Sequence, residues 1–155
     1  MSDTLTSNGN LLSPLNWKIQ ITAPGFKNLE FTITTVTMPG LSMTPVEQPY
    51  RGDTPFLPGD KLTWDQLQVR AAANENLENY EEIYYWIRAN HHDGAIIESD
   101  IVLTLLTSHK NFNRQFRFNR AFPVSLGGWE LSTSAEGVEY IQFDVGFRYD
   151  TFDLL

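Results

Sequence analysis

The residues best suited to metal or acid–base chemistry are two adjacent histidines followed by an aspartate, His91-His92-Asp93. They lie at the end of a segment that predicts a helix, on which neighbouring side chains point about 100° apart. Two adjacent histidines on a helix therefore rarely bind one metal ion, and His109 is distant in sequence. We predict no metal centre and no cofactor.

Catalytic motifs are likewise missing from the sequence. It contains no glycine-rich phosphate loop, no nucleophile elbow and no histidine pair at i, i+4 spacing. It has no cysteine, which excludes disulfides and thiolate chemistry. The 19 acidic residues are scattered, so no acid and base pair stands out. We predict that the protein is not an enzyme; a site assembled only by folding is the alternative.

Charge and hydropathy exclude further classes of function. The 155-residue chain has a net charge of −8, which argues against a general duplex-binding protein and suits a surface that repels nucleic acid. No apolar run has the length of a membrane span, and residues 1–10 lack the apolar core of a signal peptide. We expect no membrane segment and synthesis in the cytoplasm.

Alternation of apolar and polar residues predicts a mainly β (α+β) domain over residues 14–155, after a flexible arm at residues 1–13. One helix is expected at about residues 76–90. We expect antiparallel sheets that curl into a β-sandwich or half-barrel with this helix on the flank. Strands are predicted at residues 16–22, 29–37, 61–69 (with a bulge near Asp65-Gln66), 101–106 and 115–119, and in a final hairpin through residues 129–131 and 141–149.

The last predicted strand has one apolar and one polar face. Phe143, Val145, Phe147 and Tyr149 alternate with polar residues and are expected to be buried. The opposite face must meet water or a polar partner. It carries Gln142, Asp144, Arg148 and Asp150.

A long proline-rich loop is predicted over about residues 39–60. Loops of this length are uncommon in compact domains and usually serve function or assembly. Exposed aromatic residues there are typical of an interface, with packing against the parent domain as the alternative. We regard Arg51-Gly52-Asp53 as a plain turn, because so short a match to an adhesion motif occurs by chance. The interface candidates in this loop are Tyr50, Arg51, Asp53 and Phe56.

Positive charge is concentrated in one predicted hairpin. No acidic residue occurs between Asp100 and Glu130, yet Lys110, Arg114, Arg117 and Arg120 lie there. We interpret this basic patch as complementary to an acidic surface of another copy of the chain. The alternative is a solvated sheet edge whose charges prevent aggregation.

Several short motifs, in their order and spacing over about residues 17–150, resemble those of the tail tube proteins of contractile-tailed bacteriophages. Type VI secretion tubes share the same fold. The motifs are Met38-Pro39-Gly40-Leu41, Gly59-Asp60 before Leu62-Thr63-Trp64, Tyr84-Tyr85-Trp86-Ile87, Phe122-Pro123-Val124 and Phe147-Arg148-Tyr149-Asp150.

The resemblance implies stacked hexameric rings whose sheets join into one continuous β-barrel. It implies that the helix lies outside, toward a tail sheath protein, and that the loop around residues 50–58 reaches the next ring. The polar strand face with Gln142, Asp144, Arg148 and Asp150 would line the channel. Arg148 is expected to pair there with Asp144 or Asp150.

The implied function is the inner tail tube of a virion, through which DNA passes without specific binding. The implied partners are other copies of the chain, the tail sheath protein, and baseplate and neck proteins. Three alternatives remain: a ring that initiates or completes the tube, a secretion-system tube, and a monomeric β-rich binding module with a concave apolar pocket.

Overall fold

The computed structural model describes residues 11–23, 28–49, 51–92, 94, 96–134 and 140–155. Most of the flexible N-terminal segment expected at residues 1–13 lies outside these ranges. In chain order, the elements are β1 (Trp17–Ile21), α1 (Asn28–Thr32), β2 (Ile33–Thr37), β3 (Leu41–Met43), β4 (Val46–Glu47), β5 (Phe56–Leu57), β6 (Leu62–Trp64), β7 (Leu67–Ala72), α2 (Glu78–His92), β8 (Ser99–Leu106), β9 (Phe112–Leu126), β10 (Gln142–Arg148) and β11 (Phe152–Leu154).

The main sheet is antiparallel, with strand order β1-β8-β9-β10-β7-β2. The 15-residue strand β9 belongs to both halves of this sheet. Its first part pairs with β8 and with β11, and its last part pairs with β10. Arg120, between the two parts, has a positive φ of 54°, and the pairing with β8 ends at the next residue. The sheet curls there.

The two halves of the sheet share one hydrophobic core, as in a β-sandwich or half-barrel. Ile101 and Phe118 enter this core from the first half, and Phe143 and Phe147 enter it from the second. Full burial of each such side chain contributes about 1.5–3 kcal/mol. The predicted alternation in the last long strand is confirmed, because Phe143, Val145 and Phe147 are buried while Gln142, Asp144 and Arg148 are exposed.

Helix α2 covers the second half of the sheet. It spans Glu78–His92, close to the predicted range of 76–90. Trp86 packs edge-on against Phe147, with ring centroids 6.1 Å apart, and Tyr80 packs against Phe143 at 5.4 Å. Glu78 and Glu81 lie in its first turn, where the helix dipole favours negative charge.

The fully buried Asn79 joins α2 to two other elements. Its Nδ2 donates to Thr32 Oγ1 and to the carbonyl oxygen of Ala72, each at 2.7 Å. Its Oδ1 accepts from the backbone N–H groups of Asn74 and Tyr80. One amide side chain therefore satisfies polar groups of α1, β7 and the start of α2.

The prediction of one continuous strand over residues 29–37 is wrong. Residues Asn28–Thr32 form α1, and β2 begins only at Ile33. Leu29 is fully buried whereas Phe31 is 80% exposed, so the two do not share a face as alternation required. The Glu30 carboxylate accepts a hydrogen bond from the Ile21 backbone N–H at 2.9 Å, which holds the short helix against β1.

The first strand of the predicted final hairpin is also wrong. Residues 127–134 form no strand, and β9 itself extends from Phe112 to Leu126 and pairs with β10. Trp129 packs against Tyr80 of α2 at 6.1 Å instead of entering a ladder. The strand predicted over residues 61–69 is divided into β6 and β7 at Asp65-Gln66, where the bulge was expected.

Replacing Asn79 by alanine should lower the free energy of unfolding by about 2–3 kcal/mol, because buried partners lose their hydrogen bonds. Chemical denaturation measures the change. The matched control is Asn113→Ala, an exposed position with no side-chain hydrogen bond described, where we expect a change within about 0.5 kcal/mol. Equal effects of the two substitutions would contradict the role of Asn79.

Candidate functional site

The first candidate surface is the outward side of strands β2, β7 and β10, which we call the polar face. It carries Thr35, Thr37, Gln68, Arg70, Gln142 and Asp144, all exposed. The strand register aligns Thr35, Arg70 and Asp144 in one row across the sheet. Thr37, Gln68 and Gly146 form the next row. The predicted face of β10 is thus one part of a surface three strands wide.

Charge on the polar face is balanced by an ion pair. Arg70 Nε donates to Asp144 Oδ1 at 2.8 Å, and both side chains are more than half exposed. The hydrogen bond and the negative charge of Asp144 raise the pKa of Arg70. An exposed pair of this kind adds little stability. It does leave this row with hydrogen-bonding groups and no net charge.

Gly146 permits close packing on this side of β10. A Cβ atom there would meet the side chains of Ser125, Gln66 and Gln68. Gln68 Nε2 also donates to Gln66 Oε1 at 3.0 Å. These polar side chains cover the glycine, which is buried.

The expected pairing of Arg148 with Asp144 or Asp150 is wrong. Arg148 donates from Nη1 to the backbone oxygen of Trp64 at 3.1 Å. Asp144 pairs with Arg70, and Asp150 pairs with Arg120 at 3.1 Å. Asp150 follows β10, and its backbone N–H donates to the Asn119 oxygen. Of the four predicted channel residues, the structure brings Gln142 and Asp144 together on the polar face, and it directs the other two elsewhere.

The long loop contains two small ladders, and we call residues 40–49 and 51–65 the arm. Strand β3 pairs with β6, and farther out β4 pairs with β5. Neither ladder joins the main sheet. A Cβ atom at Gly59 would collide with the backbone oxygen of Thr44, so the arm's two chains approach closely between the ladders. Tyr50 lies outside the described residues.

The arm exposes several apolar side chains. Phe56 is 63% exposed and does not pack back against the parent domain. Arg51 and Asp53 are exposed near the tip. Large apolar patches on a surface typically mark interaction sites. The exposed apolar residues of the arm are Leu41, Met43, Val46, Phe56, Leu57 and Leu62.

The structure divides the predicted basic patch. Arg120 donates to Glu98 at 2.8 Å and to Asp150 at 3.1 Å, and its backbone N–H donates to Asp100. The hydrogen bond with Glu98 and the negative charges of Asp150 and Glu98 raise the pKa of Arg120. Arg114 and Arg117 are exposed, and neither has an ion pair within the described part of the chain. Lys110 is likewise exposed without an ion pair in the described chain, so these three side chains present positive charge that a partner can neutralise.

Comparison with solved structures finds a similar fold in contractile injection systems and in a secretion-system protein. A chain of the sheath–tube complex of an extracellular contractile injection system, in its extended state, matches with a TM-score of 0.75 and 13% identity over 95% of this chain and 93% of that chain. A chain of the tube-terminating cap of the anti-feeding prophage matches with 0.75 and 14% identity, over 100% and 99%. A type six secretion system protein matches with 0.56 and 11% identity, over 89% and 81%.

The chain has the tail tube fold. No protein-family model matches the sequence, and the search of curated proteins finds no match. The expected resemblance is therefore confirmed for the fold, by structure rather than by sequence identity. Within the described residues, the sheet of the single chain is open and does not close into a barrel.

Two observations bear on chemistry other than assembly. The described ranges contain no group of three His, Asp or Glu side chains placed to hold a metal ion. An apolar groove of about 330 Å³ opens between β1 and β2, lined by residues that include Trp17, Val36 and Phe116. Ser13 is its one hydroxyl-bearing residue, so it lacks the converging polar groups of a ligand site. No helix in the described ranges is long and apolar enough to cross a membrane.

Replacing Gly59 by alanine should disrupt the arm and spare the body, because the new methyl group meets the Thr44 backbone. We expect faster amide exchange in residues 41–64 and an unchanged melting temperature, measured by hydrogen-exchange mass spectrometry and calorimetry. Gly128→Ala is the control, since a Cβ atom there meets nothing within 4 Å. Unchanged amide exchange in the Gly59 variant would refute the close approach of the arm's two chains at Gly59 and Thr44.

Proposed function

We propose that the protein is a non-enzymatic structural subunit that forms stacked hexameric rings, the inner tube of a contractile tail. The observation that supports this most is the fold, which matches a chain of a sheath–tube complex over 95% of this chain. The tube belongs to the tail of a virion and conducts DNA during ejection. Its partners are other copies of the chain, the tail sheath protein, and baseplate and neck proteins.

Ring closure would occur through sheet edges. The half-sheet that carries the polar face ends at β2 on one side and at the last part of β9, residues 122–126, on the other. In the described chain, β2 pairs only with β7, and this last part of β9 pairs only with β10. Unpaired edges template pairing with another chain. Pairing β2 of one copy with β9 of the next would extend the sheet around a ring and remove both edges.

The polar face would then line the channel. It supplies neutral threonine and glutamine groups and the balanced Arg70–Asp144 pair. A wall with fixed excess positive charge would bind phosphates and slow the passage of DNA. A wall of neutral groups and balanced pairs lets a polyanion pass without specific binding. The same wall would also let a protein pass through the channel. The match to a type six secretion system protein supports this alternative, a secretion-system tube.

Stacking of rings would use the arm. Its apolar side chains are solvated in the single chain and would be buried against a neighbouring ring, which yields roughly 25 cal/mol for each Å² of apolar surface covered. Helix α2 faces outward with Tyr85 58% exposed, and this is the surface that we assign to the sheath. Arg114 and Arg117 would meet an acidic surface of an adjacent copy.

Electron microscopy of the purified protein across a concentration series, with light scattering, tests the proposal. Long hollow tubes would support a main tube component. Isolated rings would instead indicate a ring that initiates or completes the tube, as in the cap that matches with the same TM-score. A monomer at all concentrations, even with a nucleating baseplate, would refute assembly.

Phe56→Ser should prevent or strongly weaken ring stacking without lowering the melting temperature, because Phe56 contacts solvent in the single chain. The critical concentration for tube growth, measured by light scattering, should rise at least about tenfold, the effect of losing about 1.4 kcal/mol at each subunit contact. Ile96→Ser is the matched control, since Ile96 is 70% exposed outside the arm. Normal growth of the Phe56 variant would exclude the arm from the interface.

Charge reversal separates the two kinds of arginine in the basic patch. Arg114→Glu should weaken assembly and leave the monomer's melting temperature unchanged, because Arg114 has no ion pair in the described chain. Arg120→Glu should lower that temperature, since it would face Glu98 and Asp150. Calorimetry of the monomer and sedimentation of the assembled protein measure the two effects. Normal polymerisation of the Arg114 variant would remove it from the interface.

A further inference from the structure

We infer that the end of the chain sets the direction of the arm. Arg148, Tyr149 and Phe152 hold the arm's root at Trp64 and Asp65, so the arm is aimed before a second copy binds. We call these five residues the latch. The use of the latch in assembly rests on the proposed function, whereas its existence is a property of the single chain.

The arm needs such a support because strand pairing does not provide one. In the described chain, β3 and β6 pair only with each other, and β4 and β5 pair only with each other. The covalent connections are residues 38–40 on one side and residues 65–66 on the other. With these alone, the arm would swing about its root, and its ordering would oppose binding.

Hydrogen bonds from the end of β10 reach the root from the body. Arg148 Nη1 donates to the Trp64 backbone oxygen at 3.1 Å, and the Tyr149 hydroxyl donates to the Asp65 oxygen at 2.7 Å. The Asp65 N–H in turn donates to the Gly40 oxygen at 3.1 Å. Both chains of the arm are thereby tied to β10. Burial raises the pKa of Tyr149 to about 12, so the phenol remains a neutral donor at physiological pH.

Aromatic packing holds the same point from a second direction. The Trp64 ring meets the Phe152 ring edge-on with centroids 5.0 Å apart, and it meets Tyr149 at 6.4 Å. Phe152 lies in β11, pairs in register with Phe118 of β9, and contacts the Phe118 ring at 5.6 Å. The root of the arm is thus connected to the strand that joins both halves of the sheet.

The latch assigns a role to residues that the polar face does not explain. Arg148 lies on the exposed side of β10, yet its guanidinium contacts the arm's root and no carboxylate in the described chain. Strand β11 adds one short strand at the edge of β9, and its Phe152 is the side chain that faces Trp64. Arg148 and Phe152 are therefore positioning residues for the arm.

The distance between the arm's tip and the body tests the latch directly. The chain has no cysteine, so Thr54→Cys on the arm and Gln20→Cys on β1 introduce the only two labelling sites. All samples carry Phe56→Ser, which prevents stacking if the arm mediates it, and they are diluted with unlabelled protein so that a ring holds at most one labelled copy. Pulsed electron paramagnetic resonance then measures the spread of distances between two nitroxide labels.

With the latch intact we expect one narrow distribution. Arg148→Gln and Phe152→Ala should each broaden it about twofold, because a held segment becomes free to move on the nanosecond-to-microsecond timescale of loops. Phe152→Tyr should restore the narrow distribution. Arg148 is exposed, so its variant folds even if the Phe152 variant is unstable.

Val145→Ala separates positioning from stability. Val145 is fully buried in β10, where its strand partners are Val69 and Leu126, so its variant should melt at a lower temperature and keep the narrow distribution. A distribution unchanged by Arg148→Gln and Phe152→Ala, or broadened equally by Val145→Ala, would overturn the latch.

Restoring Phe56 in the same variants tests the use of the latch. Tubes should then grow at least about tenfold more slowly with the latch broken, if aiming the arm removes an ordering cost. Absence of growth in the parent, even with a nucleating baseplate, would refute the proposed tube and leave the distance result intact. Equal growth of parent and latch variants, with a broadened distribution, would show that the latch exists but does not serve assembly.

Discussion

The shared strand β9 is the constraint on which the rest of the structure depends. One strand hydrogen-bonds to β8 and β11 in its first part and to β10 in its last part, so the two half-sheets cannot move apart without breaking it. The positive φ of Arg120 marks the corner between these parts. Because Phe118 and Phe147 enter one core from opposite halves, burial of apolar surface and the path of this strand favour the same curl.

The curl decides which surfaces are used within the chain and which stay open. Inside it lie the aromatic and aliphatic side chains that α2 closes over. Outside it lie the polar face, the β1 and β2 edges, and the last part of β9. The arm leaves the body between β2 and β7 and retains its apolar residues in solvent. Within the described residues, the core is satisfied while strand edges and an apolar projection have no partner, which is what the proposed assembly requires.

Charge follows the same division. Arg70 with Asp144 and Arg120 with Glu98 and Asp150 form pairs inside the chain. These pairs are exposed and contribute little to stability, but they remove charge from the surfaces on which they lie. Arg114 and Arg117 keep theirs, in a chain whose net charge is −8. In the proposed assembly, attraction between copies would be limited to a few positions, because the net charge of the chain is negative.

The sequence by itself determined the fold class, the long helix, and the buried and exposed sides of the last long strand, because period-two and helical patterns depend on local geometry. It placed Phe56 on a long proline-rich loop, but it left open whether the ring is exposed or packs against the parent domain. Only the tertiary structure decided that residues 28–32 form a helix, since the Glu30 side chain is held by a backbone group of strand β1 and not by the helix itself. It also decided that Arg148 contacts the arm and that Asp150 pairs with Arg120. Periodicity specifies which side of a strand or helix is buried. The residue that a side chain contacts comes from another part of the chain, and no local pattern identifies it.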